Sequence, residues 1–156
     1  VNVSPKLGFF RPTWGFNYNQ QFFDTRKYGA GKALSRPLLS CSLDNNFALS
    51  ETMNAAISLN AATSNADGFL MMKSYYSVDL RFDKSFANRT WIIYLSANDI
   101  FKTAKERWTM YGLGSDTIKD CYNYTRSISL QVTYNFNAKR SKYKGTGAGN
   151  EEKSRL

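Results

Sequence analysis

Apolar and polar residues alternate without a break from Ser127 to Asn137. Ile128, Leu130, Val132, Tyr134 and Phe136 are apolar; Ser127, Ser129, Gln131, Thr133 and Asn135 are polar. Successive side chains of an extended chain point to opposite faces, so this stretch predicts a strand with one oily and one wet face. The same period recurs upstream. Tyr76, Val78, Leu80 and Phe82 alternate with Ser77, Asp79, Arg81 and Asp83. Trp91, Ile93, Leu95 and Ala97 follow, with Ile92 and Tyr94 making the other face less polar. Met53, Ala55, Ile57 and Leu59 form a further set, as do Leu39, Cys41 and Leu43, and Trp14, Phe16 and Tyr18. The pattern predicts about six strands and an all-β fold.

The connections between these strands alternate in length. Ala87-Asn88-Arg89-Thr90 and the piece around Ser50-Glu51 are short; Asp24 to Arg36, Ser64 to Leu70 and Lys102 to Tyr124 are long. Antiparallel up-and-down strands with short turns at one end and long loops at the other are the plan of a transmembrane β-barrel. In that plan the oily face meets lipid and the wet face lines the lumen. Asp79, Arg81, Asp83 and Gln131 are then predicted to face the lumen, with Arg81 between Asp79 and Asp83 in a salt-bridge network. The turn at 87–90 is predicted to be periplasmic and the segment 102–124 external.

Aromatic placement fits the same plan. Phe86 and Trp91 flank the short turn, and Tyr134 and Phe136 reach the same level from the last strand. Phe101 and Tyr124 stand at the opposite end. Phe86, Trp91, Phe101 and Tyr124 are therefore candidate girdle residues. The stretch from Trp91 to Phe101, at about 3.3 Å per residue and tilted by about 40°, rises roughly 25 Å, the height of the apolar band of such barrels.

Composition narrows the choice. The chain has 156 residues, enough for one ordinary domain, and 15% of them are aromatic, which favours strands. Mean hydropathy is −0.47, and no apolar run approaches the roughly 20 residues of a spanning helix. That excludes a helical membrane protein but not a barrel, whose strands are only half apolar. The chain opens at Val1 without a signal-like segment, which leads to the expectation of processing or truncation. Net charge is +9. Much of it lies in Lys139, Arg140, Lys142, Lys144, Lys153 and Arg155, opposed there only by Glu151 and Glu152. No zinc-finger, RNP-type or recognition-helix pattern accompanies the charge, so no nucleic-acid partner is expected.

Enzymatic signals are weak. The absence of histidine removes Ser-His-Asp and Cys-His arrangements and every His-based zinc site. Cys41 and Cys121 lie far apart, without metal-ligand spacing; Cys41 shares the parity of oily neighbours, and Cys121 is placed in a polar loop. Gly145-Thr146-Gly147-Ala148-Gly149 lacks the Lys-Ser or Lys-Thr ending of a phosphate cradle and reads as a flexible tail. No catalytic residue, cofactor or metal is expected.

Several segments resemble a known family. Tyr76-Ser77-Val78-Asp79-Leu80-Arg81-Phe82-Asp83-Lys84-Ser85-Phe86 is similar to a strand closing on a periplasmic turn, and Leu95-Ser96-Ala97-Asn98-Asp99-Ile100-Phe101 to the "N-D-I-F" strand end that follows it. Val132-Thr133-Tyr134-Asn135-Phe136-Asn137 resembles a terminal "Y-x-F-N" strand, and residues 141–156 resemble a characteristic extension. The family is that of outer-membrane β-barrels related to TonB-dependent receptors. The resemblance is strongest from Tyr75 to Leu156.

The resemblance implies a barrel of about 22 strands, usually preceded by a plug. Too few strands are present here to close even the usual minimum of about 8, and no plug or energy-coupling box is visible. The chain therefore reads as the C-terminal segment of a larger barrel over residues 1–137, followed by a basic, Gly-containing periplasmic tail over 138–156. It would be a gene fragment, a trimmed chain or one chain of a split barrel. The resemblance further implies non-enzymatic nutrient uptake in the bacterial outer membrane. Implied partners are membrane lipid, the barrel-assembly machinery, and the remaining strands and plug in the same or another chain. The assembly signal falls on Ile128, Leu130, Val132, Tyr134 and Phe136. Two alternatives stay open on the residues alone. One is a complete small eight-stranded barrel with two further strands in Val1–Phe23 and Asp99–Tyr124; the other is a soluble all-β ligand-binding protein whose oily face is core.

Overall fold

A computed structural model of the chain describes residues 1–22, 24–29, 33–112 and 114–136. The tail from 138 on, its boundary at Asn137 and the glycine run lie outside the described residues. Eleven strands are present: β1 (Asn2–Val3), β2 (Phe10–Asn19), β3 (Leu38–Ser50), β4 (Met53–Ala62), β5 (Asn65–Asp67), β6 (Leu70–Met72), β7 (Tyr75–Phe86), β8 (Trp91–Asn98), β9 (Lys105–Tyr111), β10 (Asp116–Tyr122) and β11 (Ser127–Tyr134). The six expected from period-two patterning are β2, β3, β4, β7, β8 and β11.

All pairings are antiparallel. One sheet has the order β1-β2-β3-β4-β7-β8-β11, a meander of long strands; its edges, β1 and β11, do not meet. The fold is all-β and antiparallel, as the alternation predicts, and its sheet is open. A second sheet, β10-β9-β6-β5, is built wholly from the segments that join β4 to β7 and β8 to β11. The long connections at 64–70 and 102–124 are thus strands in large part, and Cys121 lies in β10 rather than in a loop. Patterning missed them for a physical reason. In β9, Glu106, Trp108 and Met110 share one face, while Lys105, Arg107, Thr109 and Tyr111 share the other. Apolar and charged groups are mixed on both sides, so no one-sided stripe marks the strand. These extra strands pair with one another and do not close the main sheet.

Turn geometry sets the two ends. β3 and β4 are joined by Glu51-Thr52 alone, with a register irregularity between Ala48 and Ser50. β7 and β8 are joined by 87–90, in which Ala87, Asn88 and Arg89 all have positive φ (48°, 55° and 67°) and the Thr90 amide donates to the Ala87 carbonyl at 3.1 Å. Three successive left-handed residues reverse the chain within four positions, and Asn tolerates that region better than most. The last strand is fastened to this turn: the Asn135 amide donates to the Thr90 carbonyl at 2.7 Å, and its side chain to the Arg89 carbonyl at 2.8 Å. At the other end, the segment between β2 and β3 carries a 3-10 turn, Thr25–Tyr28, begun by Asp24. The Thr25 hydroxyl, fully buried, accepts from the amide of buried Leu34 at 3.0 Å and folds this connection back on itself.

Candidate membrane-facing wall and polar face

The register of the main sheet sorts its side chains by face, since directly opposed residues point the same way. One row runs Phe10, Phe47, Ala55, Phe82, Leu95, Leu130 across six strands. A neighbouring row carries Ile57, Leu80, Ala97 and Ile128, and another Ile93 and Val132. This face is apolar over the width of the sheet apart from Asn45 and Lys84, and no second layer of the described residues covers it. Leu80 is 39% exposed, Leu95 43% and Val132 54%. The buried apolar residues among those described are Pro12, Leu34, Ala56 and Ala66, and Pro12 alone of these lies on this face, so no second layer turns it into a dry core.

The opposite face is polar and hydrogen-bonded across strands. Asp44 accepts from the hydroxyls of Ser58 (2.6 Å) and Ser42 (3.3 Å). Ser96 and Ser129 share a hydrogen bond of 2.7 Å, and Asn98 donates to Ser127 at 3.0 Å. Asp79, Arg81 and Asp83 project here from β7, and Gln131 from β11. The sheet thus brings the four candidate lumen residues onto one face. The expected salt-bridge network among them does not form. Among the described residues the ion pairs are Asp24–Arg26 and Glu106–Lys119. Residues two apart on one strand are separated by about 6.6 Å along it, whereas cross-strand neighbours come closer. Each group therefore finds a lateral partner. Asp83 accepts from the Asn54 side chain at 2.8 Å, and Asp79 from the Asp99 amide at 2.7 Å. Arg81 reaches past small Ala56 on β4 to donate to Asn46 of β3 at 3.2 Å. Gln131 donates to Thr133 of its own strand at 3.4 Å.

Aromatic residues gather at the short-turn end. Phe86 lies opposite Trp91, whose ring is 4.5 Å from that of Tyr134, and Tyr134 meets Phe136 edge-on at 5.5 Å. Lys84 lies over the Phe86 ring at 5.5 Å. Phe10 and Phe47 stack at 5.0 Å toward the same end. At the far end Phe101 and Tyr124 are 61% and 88% exposed and lie outside the strands, with Tyr124 at a φ of 52°. Tyr124 packs edge-on against Tyr122 at 5.8 Å. Of the assembly-signal residues, Ile128, Leu130, Val132 and Tyr134 occupy β11 on the apolar face, and exposed Phe136 follows the strand. A two-faced, single-layered sheet with short turns at one end is barrel-wall architecture.

The model of the outer membrane protein beta-barrel family matches residues 2–134. The chain belongs to that family. Comparison with curated proteins and with solved structures found no match. Membership implies a bacterial outer-membrane location.

The most densely bonded carboxylate of this outer-membrane β-barrel chain is one to which patterning assigned no role. Asp99 ends β8 at a φ of 45° and is 2% exposed. One carboxylate oxygen accepts from the Thr103 amide (2.8 Å), the Ala104 amide (3.2 Å) and the Thr103 hydroxyl (3.4 Å); the other accepts from the Thr125 hydroxyl at 2.8 Å. Burial pushes its pKa up, but hydrogen bonds from Thr125, Thr103, Ala104 and Tyr122 outweigh this and hold it below the usual carboxylate value. Asp99 thereby ties the ends of β8 and β11 to the start of β9. The signal was present in the Asn98-Asp99 pair at a strand end, since Asp readily takes a left-handed turn and accepts nearby amides.

In the second sheet, Lys119 lies 2.7 Å from Glu106. Hydrogen bonds from Lys119, Trp108 and Asn123 lower the Glu106 carboxyl to about 2. Cys41 in β3 and Cys121 in β10 are both free thiols. No group of three or more Cys, Asp or Glu among the described residues is arranged to hold a metal.

Proposed function

We propose that the chain is a section of the wall of a larger outer-membrane barrel related to TonB-dependent receptors, with a structural and transport role and no enzymatic one. The carrying observation is the uncovered apolar face, six strands wide, backed by a hydrogen-bonded polar face. Against lipid that apolar face needs no second layer, because the long strands satisfy one another's backbone groups along most of their length. The polar face, with Asp79, Arg81, Asp83 and Gln131, then borders a water-filled lumen or a plug. The unpaired edges at β1 and β11 are completed by further strands, in the same or another chain. β11 presents alternating apolar residues and ends on Tyr134 and Phe136, as a substrate of the barrel-assembly machinery would. The terms of the resemblance that favour a nutrient receptor are the strand ends at 76–86 and 95–101 and the last strand.

Two measurements test this. Trp91 and Trp14 lie on the apolar face and Trp108 in the second sheet. In vesicles with brominated acyl chains, single-Trp variants retaining Trp91 or Trp14 should be quenched, and one retaining Trp108 should not. A chain that is monodisperse in water without detergent sinks the wall reading. For the receptor relation, native outer membranes should yield these residues together with a plug-bearing polypeptide, either as one chain or as a co-purifying one. A barrel that assembles from this chain alone removes that part.

A further inference from the structure

The two sheets meet where β7 and β9 begin. There the Lys73 amide donates to the Arg107 carbonyl at 2.9 Å, and the Arg107 guanidinium to the Ser74 carbonyl at 2.9 Å. A cavity of about 340 Å³ opens at this junction, lined by Lys102, Lys105, Arg107, Thr103, Tyr75 and Tyr76 beside Ser74. Three of these side chains are cationic and none is a carboxylate. Nearby acids are engaged or directed elsewhere. Asp99 is saturated by Thr103, Ala104 and Thr125, and Glu106 pairs with Lys119 on the other face of the hairpin. Asp120 lies opposite Arg107 in the β9–β10 register but makes no ion pair with it. Lys102 rests over the Tyr122 ring at 5.2 Å. The Arg107 Nε is buried without a hydrogen-bond partner, and such a donor is costly to leave unmet.

We propose that this cavity is a binding site for a phosphate-bearing ligand. Three cationic side chains lining one cavity suit a dianionic phosphate better than a singly charged carboxylate ligand, and Arg with Lys, Thr and Tyr donors matches a tetrahedral oxyanion. The volume exceeds what a bare phosphate fills, so the group carrying the phosphate enters as well. Tyr75 and Tyr76, 43% and 48% exposed, give it a flat wall. Tyr75 projects on the polar side of β7 and Tyr76 on the apolar side, so the cavity straddles the rim of the wall. A phosphate there comes either from a lipid headgroup or from a phosphorylated solute. The site is independent of the receptor relation, because it uses only side chains of this chain.

The protein is extracted from outer membranes in neutral detergent, together with the strands that complete its barrel, and is titrated with inorganic phosphate at low ionic strength. Saturable binding is expected, weakened by added salt. Lys102→Gln with Lys105→Gln should lower affinity at least about tenfold, since each removes a charge-assisted contact. These two exposed positions avoid Arg107, whose bond to Ser74 supports the strand junction; Lys105→Gln alone serves if the pair impairs folding. Displacement of phosphate by phosphatidic acid but not diacylglycerol assigns a lipid source, and displacement by a hexose phosphate but not the free hexose assigns a solute. Absence of saturable binding, affinity unchanged in the variants, or failure of both phosphate esters to compete overturns the proposal.

Discussion

Leu95 and Gln131 put the two-faced wall to a quantitative test. Leu95 stands in the middle of the apolar row, between Phe82 and Leu130. It is four residues from Trp91, which at about 3.3 Å per residue and 40° tilt places it about 10 Å above the aromatic level of a band roughly 25 Å high, near the bilayer midplane. Arginine at that depth on a lipid-facing position costs about 2–4 kcal/mol, a loss of roughly 30- to 700-fold in the folded-to-unfolded ratio. Gln131 lies opposite Tyr94, one step along β8 from Leu95 and on the other face. Its side chain is exposed, with one long hydrogen bond to Thr133. Gln131→Arg should therefore cost less than about 1 kcal/mol at nearly the same depth. Phe101→Arg, at the rim, should fall to about 0–1 kcal/mol. Urea titration of the completed barrel reconstituted into phosphatidylcholine vesicles, followed by tryptophan fluorescence, reads all three. A Leu95→Arg variant as stable as the parent, or a Gln131→Arg variant hurt more than Leu95→Arg, would refute the assignment of faces.

Other outcomes follow from single groups. Asp99→Asn keeps the shape but removes the charge that four donors share, and should cost about 1.5–3 kcal/mol in the same titration while speeding exchange of the Thr103 and Ala104 amides. Because the folded Asp99 is more acidic than the unfolded one, its contribution is present above the ordinary carboxylate value near pH 4 and is lost as pH falls through the lower folded value. The protection of the Thr103 amide, its exchange rate relative to the intrinsic rate at the same pH, should fall in that window, and protection unchanged with pH would contradict the network. Asn88→Val forces a β-branched side chain to a φ of 55° and should lose about 1–2 kcal/mol, whereas Asn88→Gly should be neutral or slightly stabilising; equal urea midpoints for the two would remove the strain account of the turn.

Local chemistry along the chain was sufficient for the wall. Period-two alternation placed β2, β3, β4, β7, β8 and β11, because a one-residue slip would turn every apolar side chain to the wrong face. Loop length marked the short-turn end of the sheet, since Ala87 to Thr90 and Glu51-Thr52 can only be turns. The same alternation put Asp79, Arg81, Asp83 and Gln131 on one side. Their partners were beyond its reach. That Arg81 bonds Asn46, and not the aspartates beside it, depends on the register of three strands and on Ala56 being small enough to reach across. The second sheet was hidden because Lys105 to Tyr111 and Asp116 to Tyr122 mix charge and oil on both faces; they hold as strands through pairing with each other and with β6. Asp99 shows the same division. Its sequence neighbours marked a strand end, but its burial and its bond to Thr125 exist only because β8 and β11 lie side by side. Patterning is written by which solvent each face meets, and is therefore local; hydrogen-bond partners, the junction cavity and the open edges arise from distant segments brought together, and only the tertiary structure decides them.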